Sequence, residues 1–151
     1  NKYKSGFTLM RFKGFTLIEL LVVISIIVIL VAVSIFGLSG ARESARDARR
    51  KADLELIKSG LEIHRADCNR YPASLTAGSA LVGATPPTTC LATNTYISAV
   101  PTDSISTRTY RYATTASGYE LCVSLEQATG SVTCGGSSNC GTTCNYKITN
   151  P

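Results

Sequence analysis

From Leu20 to Ala41 the chain carries no charged side chain, and residues 15–38, FTLIELLVVISIIVILVAVSIFGL, are almost wholly apolar. At about 1.5 Å per residue, a helix over the 22 uncharged positions spans roughly 33 Å, matching a bilayer hydrocarbon core of about 30 Å. This predicts a single-span anchor. The run is too long for a cleaved secretory core of about 7–15 residues, and no A-x-A site follows it. Beyond it the apolar pattern becomes periodic. Leu54, Ile57, Leu61, His64 and Cys68 recur at three- and four-residue spacing and form one stripe. Ala41, Ala45, Ala48 and Ala52 form a narrow stripe of small residues suited to close helix–helix approach. The other faces carry Arg42, Glu43, Arg46, Asp47, Arg50 and Glu55, which read as a solvated, mixed-charge surface. One helix is therefore expected from about Phe15 to about Cys68, roughly 80 Å long, ended by Tyr71-Pro72 because a residue before proline avoids helical backbone.

After Tyr71 the chain turns to Ser, Thr, Gly, Ala and Pro. Residues 73–101, with the pair Pro86-Pro87, read as an irregular loop. Strand patterns follow. Residues 108–113 place Tyr110 and Tyr112 on one face, and residues 118–126 place Tyr119, Leu121, Val123 and Leu125 on one face. Residues 114–117 are the expected hairpin turn, with further short strands at 131–134 and 146–148. The apolar sheet face is expected to cover the Leu54, Ile57 and Leu61 stripe, since two layers are the minimum for a core.

Charge narrows the picture. The net charge is +5, but Lys2, Lys4, Arg11 and Lys13 place four positive charges and no acid in residues 1–14. The rest holds 11 basic and 10 acidic side chains. That balance disfavours a phosphate-binding surface, which needs many unpaired cations. The one dense basic cluster is Arg42, Arg46, Arg49, Arg50 and Lys51. With one His, three acids after Tyr71 (Asp103, Glu120, Glu126) and no nucleophile–base pair, no catalytic residue, enzyme activity or cofactor is expected. Cys68, Cys90, Cys122, Cys134, Cys140 and Cys144 form an even set in a region poor in apolar bulk, which predicts disulfides and an oxidising compartment. A Cys68–Cys90 bridge, tying the loop to the helix end, is the preferred pairing, with the other four linking Cys122 and the tail. The rival, zinc on Cys134, Cys140 and Cys144, lacks the paired C-x2-C spacing, and no metal is expected.

Glu19 is the exception within the apolar run, since an intramembrane carboxylate usually has a partner. The motif Lys13-Gly14-Phe15-Thr16-Leu17-Ile18-Glu19 ahead of a long apolar helix resembles the class III signal sequence of type IV pilins and pseudopilins. In that family a prepilin peptidase cuts after the Gly, the new N-terminal Phe is methylated, and the fifth mature residue is Glu. Here these positions are Gly14, Phe15 and Glu19. A near-copy, Lys4-Ser5-Gly6-Phe7-Thr8-Leu9-Met10-Arg11, puts Arg11 at the fifth place, so cleavage is expected at Gly14. The resemblance implies that Glu19 sets register by pairing with the Phe15 amine of a neighbouring subunit. Related pilins often carry Pro at mature position 22, here Phe36. With Gly37 and Gly40 following, the helix is expected to loosen over residues 33–40 in a filament.

The resemblance covers residues 13–72 and 96–126 and implies an α+β, type IV pilin fold. A long N-terminal helix, half membrane or filament core and half amphipathic, packs on a small antiparallel β-sheet with a disulfide-tied C-terminal tail. Four segments follow: a basic leader over 1–14, a hydrophobic transmembrane and filament-core helix over 15–41, the amphipathic half over 42–70, and a globular β domain over 71–151. The implied function is a structural subunit that polymerises into a type IV pilus for adhesion, twitching motility or DNA uptake. The alternatives are a pseudopilin of a type II secretion system and a DNA-binding competence pilin. The implied partners are identical subunits in a helical homopolymer, a prepilin peptidase, an inner-membrane assembly platform, an assembly ATPase, and membrane lipid before assembly. The implied location is the inner membrane, then an extracellular surface filament. In such a packed filament some of the helix charges pair between subunits. Major pseudopilins form a calcium site from acidic residues in their C-terminal loops. Calcium takes about six to eight oxygen ligands, and with Asp103 the only acid nearby that site is not expected here.

Overall fold

The structure, a computed structural model, describes residues 14–84, 90–115 and 118–150. The upstream near-copy of the signal motif, Pro86-Pro87 and part of the 114–117 turn lie outside these residues. The helix α1 runs Leu17–Cys68. Two compact units divide the chain, Asn1–Ser39 and Gly40–Pro151. In the first, every described side chain whose burial is assigned is exposed, and α1 carries one stretch long and apolar enough to cross a membrane.

In the second unit α1 supplies one wall of the core. Leu54, Ile57 and Leu61 are at most 1% exposed. The helix stops at Asn69, whose φ of 56° is left-handed, a conformation Asn tolerates and most residues avoid. The helix thus ends at Cys68 as expected, but through an Asn cap rather than through Tyr71-Pro72. His64 is buried, and its Nδ1–H donates to the Arg70 carbonyl at 2.9 Å, closing the chain back on the helix end. It packs edge-on against Tyr96 at 5.0 Å.

Residues 73–101 are not wholly irregular. Strands β1 (Leu81–Val82) and β2 (Thr95–Ile97) pair antiparallel, Leu81 opposite Ile97. Strands this short carry no alternation to read, but Leu81, Ile97 and Val100 all enter the core. A second, three-stranded sheet is ordered β3 (Arg111–Thr114), β4 (Tyr119–Val123), β5 (Tyr146–Thr149), all antiparallel. The protein therefore has two small sheets where one was expected. In β4 the alternation holds: Tyr119, Leu121 and Val123 join the helix-side core. The strand ends at Val123 rather than at Glu126: the Leu125 N–H goes to the Asn145 side chain, and the N–H groups of Glu126 and Gln127 turn to the helix. Residues 131–134 form no strand, only an isolated bridge from Cys134 to Ser137.

The other face of β4 is also covered. Cys122, Cys134, Cys140 and Cys144 are completely buried and form a second cluster with Val132. Sulfur supplies there the apolar bulk that the tail sequence lacks. The bridges are Cys68–Cys90, Cys122–Cys134 and Cys140–Cys144.

Gly60 shows how closely helix and sheet approach: a Cβ there would stand 2.2 Å from Ile97 Cγ1. Gly60→Ala gains about 0.5–1 kcal/mol of helix propensity but forces a clash of about 1–3 kcal/mol, so the clash wins. Thermal unfolding should show a lowered Tm for Gly60→Ala. In the double variant with Ile97→Ala the two losses should be less than additive, because the clashing atoms are gone.

Candidate functional site: the capped apolar helix and a buried ionic clamp

Gly14 and Phe15 precede the helix, and Phe15 is 85% exposed. Thr16 is the cap. Its Oγ1 accepts the Glu19 N–H at 3.2 Å, and its carbonyl accepts the Leu20 N–H at 3.2 Å. Thr16-Leu17-Ile18-Glu19 thus has the spacing of a capping box, with Glu19 in the first turn, where the positive end of the helix dipole favours a carboxylate. The T-x-x-E signal was present in the sequence and went unused there. Phe36, Gly37 and Gly40 lie within the unbroken helix, and nothing stands within 4 Å of a Cβ built at Gly37 or Gly40. No packing in the single chain requires a glycine at either place.

Farther along α1, Arg46, Asp47 and Arg50 are not the solvated face the sequence suggested. Arg50 is 1% exposed. Its Nε and Nη2 donate to both oxygens of Asp103 at 2.6 and 3.1 Å, a bidentate pair. Its Nη1 donates to Asp47 Oδ1 and Glu126 Oε1, both at 2.7 Å. Arg46 grips Glu126 through Nε to Oε1 at 2.7 Å and through Nη2 to Oε2. The Asp47 carboxylate also accepts the backbone N–H groups of Glu126 and Gln127 at 2.9 Å. Two cations and three carboxylates therefore fasten the loops holding Asp103 and Glu126 to one helical turn, within the chain rather than between chains. Asp47 lies at helical spacing from Arg50, but its other two acidic partners lie 53 and 76 residues away, beyond the reach of a helical-spacing argument.

The electrostatics follow from this geometry. Hydrogen bonds from Arg46, with Arg50 adding to them, hold the Glu126 carboxyl at about 2 against the opposing effect of burial. Burial works to raise Asp47 and Asp103. The N–H groups of Gln127 and Glu126 with Arg50 outweigh it at Asp47, and Arg50 with the Ile105 N–H outweighs it at Asp103, so both titrate low. Bonding to Asp103 first, then to Glu126 and Asp47, pushes Arg50 up. Arg108, which donates to the Ser124 carbonyl at 2.8 Å, adds a further cation near Asp103.

Phenols tie two further acids of the helix, Asp53 and Glu62. Tyr110 donates to Asp53 at 2.6 Å, and Tyr71 and Tyr119 both donate to Glu62 at 3.1 Å. Burial, with those carboxylates, pushes Tyr110 and Tyr119 up, and they act as donors rather than nucleophiles. His64, Cys68 and Cys90 bring ligand atoms within 4.8 Å of one another, but the disulfide occupies both sulfurs. Cys134, Cys140 and Cys144 are likewise bridged, leaving no thiolate for zinc. A groove of about 410 Å³ lined by His64, Tyr71, Leu75, Leu81 and Val100 has no carboxylate in its wall to act with the imidazole. Of the five-residue basic cluster, Arg46 and Arg50 are neutralised in the clamp, so it is not a free cationic patch for nucleic acid.

An exposed, capped, membrane-length helix start followed by a closed, crosslinked α+β unit is the architecture that the family comparisons also identify. Residues 9–35 match the prokaryotic N-terminal methylation motif, and residues 38–131 match type II secretion system (T2SS), protein G. The chain belongs to the protein G family. The type II secretion system core protein G of Pectobacterium carotovorum subsp. carotovorum is 36% identical over 83 residues, 54% of this chain and 51% of that protein. That of Aeromonas hydrophila is 36% identical over 72 residues, 48% of this chain and 50% of that protein. The type IV wide pilus major component PilA4 of Thermus thermophilus is 46% identical over 65 residues, 43% of this chain and 50% of that protein. The chain spans about half the length of the curated relatives it matches. No solved structure matches it. This protein G family member is thus a pilin-like subunit with a methylation-motif N-terminus and a membrane-anchoring helix.

The clamp makes the fold acid-sensitive. Its carboxyls titrate near 4 in an unfolded chain and lower when folded, Glu126 at about 2. Groups with depressed pKa stabilise the folded form fully above the unfolded value, and that stability is lost as pH falls through the folded value. Tm should be flat from about pH 8 to 5 and should drop between about pH 4 and 2. Glu126→Gln should lower the neutral-pH Tm and make the acid limb shallower. An unchanged acid limb in that variant would count against the assignment.

Proposed function

We propose that this chain is a pseudopilin, the subunit of a short periplasmic filament in a type II secretion system. The observation that carries the reading is the protein G match across residues 38–131. The geometry supports a filament subunit of some kind. Leu17, Ile18, Leu20 and Leu21 are 55–81% exposed, and the apolar side chains through Leu38 whose burial is described are exposed as well. Such a surface is unstable in water and has to be covered by lipid or by other copies.

In this reading the precursor sits in the membrane with its domain outside. Prepilin peptidase cuts after Gly14, freeing and methylating the Phe15 amine. That amine neutralises Glu19 of a neighbouring subunit, which is already fixed in the first helical turn by the Thr16 cap. A platform protein and an ATPase move subunits from lipid into a helical homopolymer. Ala41, Ala45, Ala48 and Ala52, all exposed, allow neighbouring helices to approach closely. Loosening at Phe36, Gly37 and Gly40 belongs to the assembled state, where low intrinsic helicity is not offset by local packing.

The second reading is a type IV pilus subunit serving adhesion, motility or DNA uptake from the cell surface. The 46% identity to PilA4 over 65 residues favours it.

Two measurements separate these readings. Deleting the gene should abolish export of secreted proteins while leaving surface filaments in place. Loss of sheared surface filaments with secretion intact assigns the chain to a pilus instead. Glu19→Ala should leave a cleaved, membrane-retained pool and no filaments under either reading; normal filaments from that variant would overturn the proposed pairing.

A further inference from the structure

The calcium site that resemblance to major pseudopilins implies needs loop carboxylates free to ligate. Past Tyr71 this chain has three acids, Asp103, Glu120 and Glu126. All three are engaged. Asp103, its side chain fully enclosed, is bonded through both oxygens to Arg50. Glu126 accepts from Arg46 and Arg50. Glu120 accepts from Lys147 and from the Gly135 N–H, both at 2.8 Å. The donor set does not fit a divalent ion, because calcium wants about six to eight oxygens, usually with several carboxylates, and each carboxylate oxygen of these loops already faces a cation or an N–H.

We propose that Arg50 is the resident cation of this domain. Its guanidinium, tethered to α1, fastens the Asp103 and Glu126 loops in place of a bound metal, so the folded domain is independent of calcium. Three features of the structure converge on this. Taken as a whole residue, Arg50 is the most deeply buried charged one among the described residues, at 1% exposure. Three carboxylates, one from α1 and one from each loop, meet its N–H groups within 3.1 Å. The loop carrying Asp103, residues 98–110, has no disulfide of its own. A planar fork on a covalent stem delivers this with no entropic cost of capturing an ion, and its charge does not depend on pH in any range where the protein folds. The titratable groups around Arg50 are Arg46 and Asp47 from its own helix, Asp103, Glu126 and Tyr110, with Arg108 acting on Asp103. Without Arg50 the three carboxylates share Arg46 and the more distant Arg108, and the cluster becomes an anionic pocket that a divalent ion can enter. The inference concerns the domain's own chemistry and holds whichever filament the chain builds.

The test uses the full chain in detergent, with Tm read from the near-ultraviolet signal of the buried tyrosines, in EGTA and in millimolar CaCl2. Wild type should melt at the same temperature in both, and equilibrium dialysis should show no stoichiometric calcium. Arg50→Met should melt roughly 10–20 °C lower in EGTA and should recover part of that loss in CaCl2. A wild-type Tm that rises with calcium, or one calcium bound per chain, overturns the proposal. So does an Arg50→Met variant that melts like wild type. If Arg50→Met does not fold, the wild-type dialysis decides alone.

Discussion

A guanidinium with almost no contact with water has to be surrounded by acceptors, and much of the domain follows from meeting that demand. Removing an ion from water costs several kcal/mol, which only close, well-oriented counter-charges offset. Arg50 meets it with three carboxylates from three separate segments: its own helix, the stretch after β2 and the stretch after β4. Because each arm needs the others to balance charge, the segments cannot detach singly. The clamp also fixes the chain just past β4, where Asp47, held by Arg50, takes the N–H groups of Glu126 and Gln127.

Around this tie the domain divides its core in two. Leu54, Ile57 and Leu61 press on Tyr119, Leu121 and Val123, while the reverse face of the same sheet is filled by cystines. A unit this size with few large side chains exposes much of its surface, and crosslinks reduce the entropy it must lose on folding. Hydrocarbon is concentrated instead in residues 17–38, where it lies on the surface of the single chain. The apolar residues that would make an ordinary core are thus divided between holding the domain and joining it to its surroundings.

The helix was legible almost to the residue because its apolar run and its 3/4 stripe are local patterns, and β4 because five residues alternate cleanly. The strands Leu81–Val82 and Thr95–Ile97 were not, since two or three residues carry no periodicity and their pairing spans a long loop. Arg50 was misread for a related reason: charges on a helix look solvated until their distant partners are known. One signal did exist. In a domain with only three acids past the helix, Asp103 and Glu126 were too scarce to be incidental surface charges. Family resemblance located Glu19; the structure adds that the Thr16 cap holds its backbone N–H in the first helical turn, where the helix dipole favours a carboxylate before any neighbour arrives.

The cystines also set what a protease can accomplish. Residues 69–89, 123–133 and 141–143 each lie inside a ring closed by a disulfide. One hydrolysed bond in any of them opens a loop without releasing a fragment. The stretch from 98 to 110 has no such ring and is retained instead by charge, through Asp103. Durability there is electrostatic while elsewhere it is covalent, so a single nick has different consequences in different parts of one small domain.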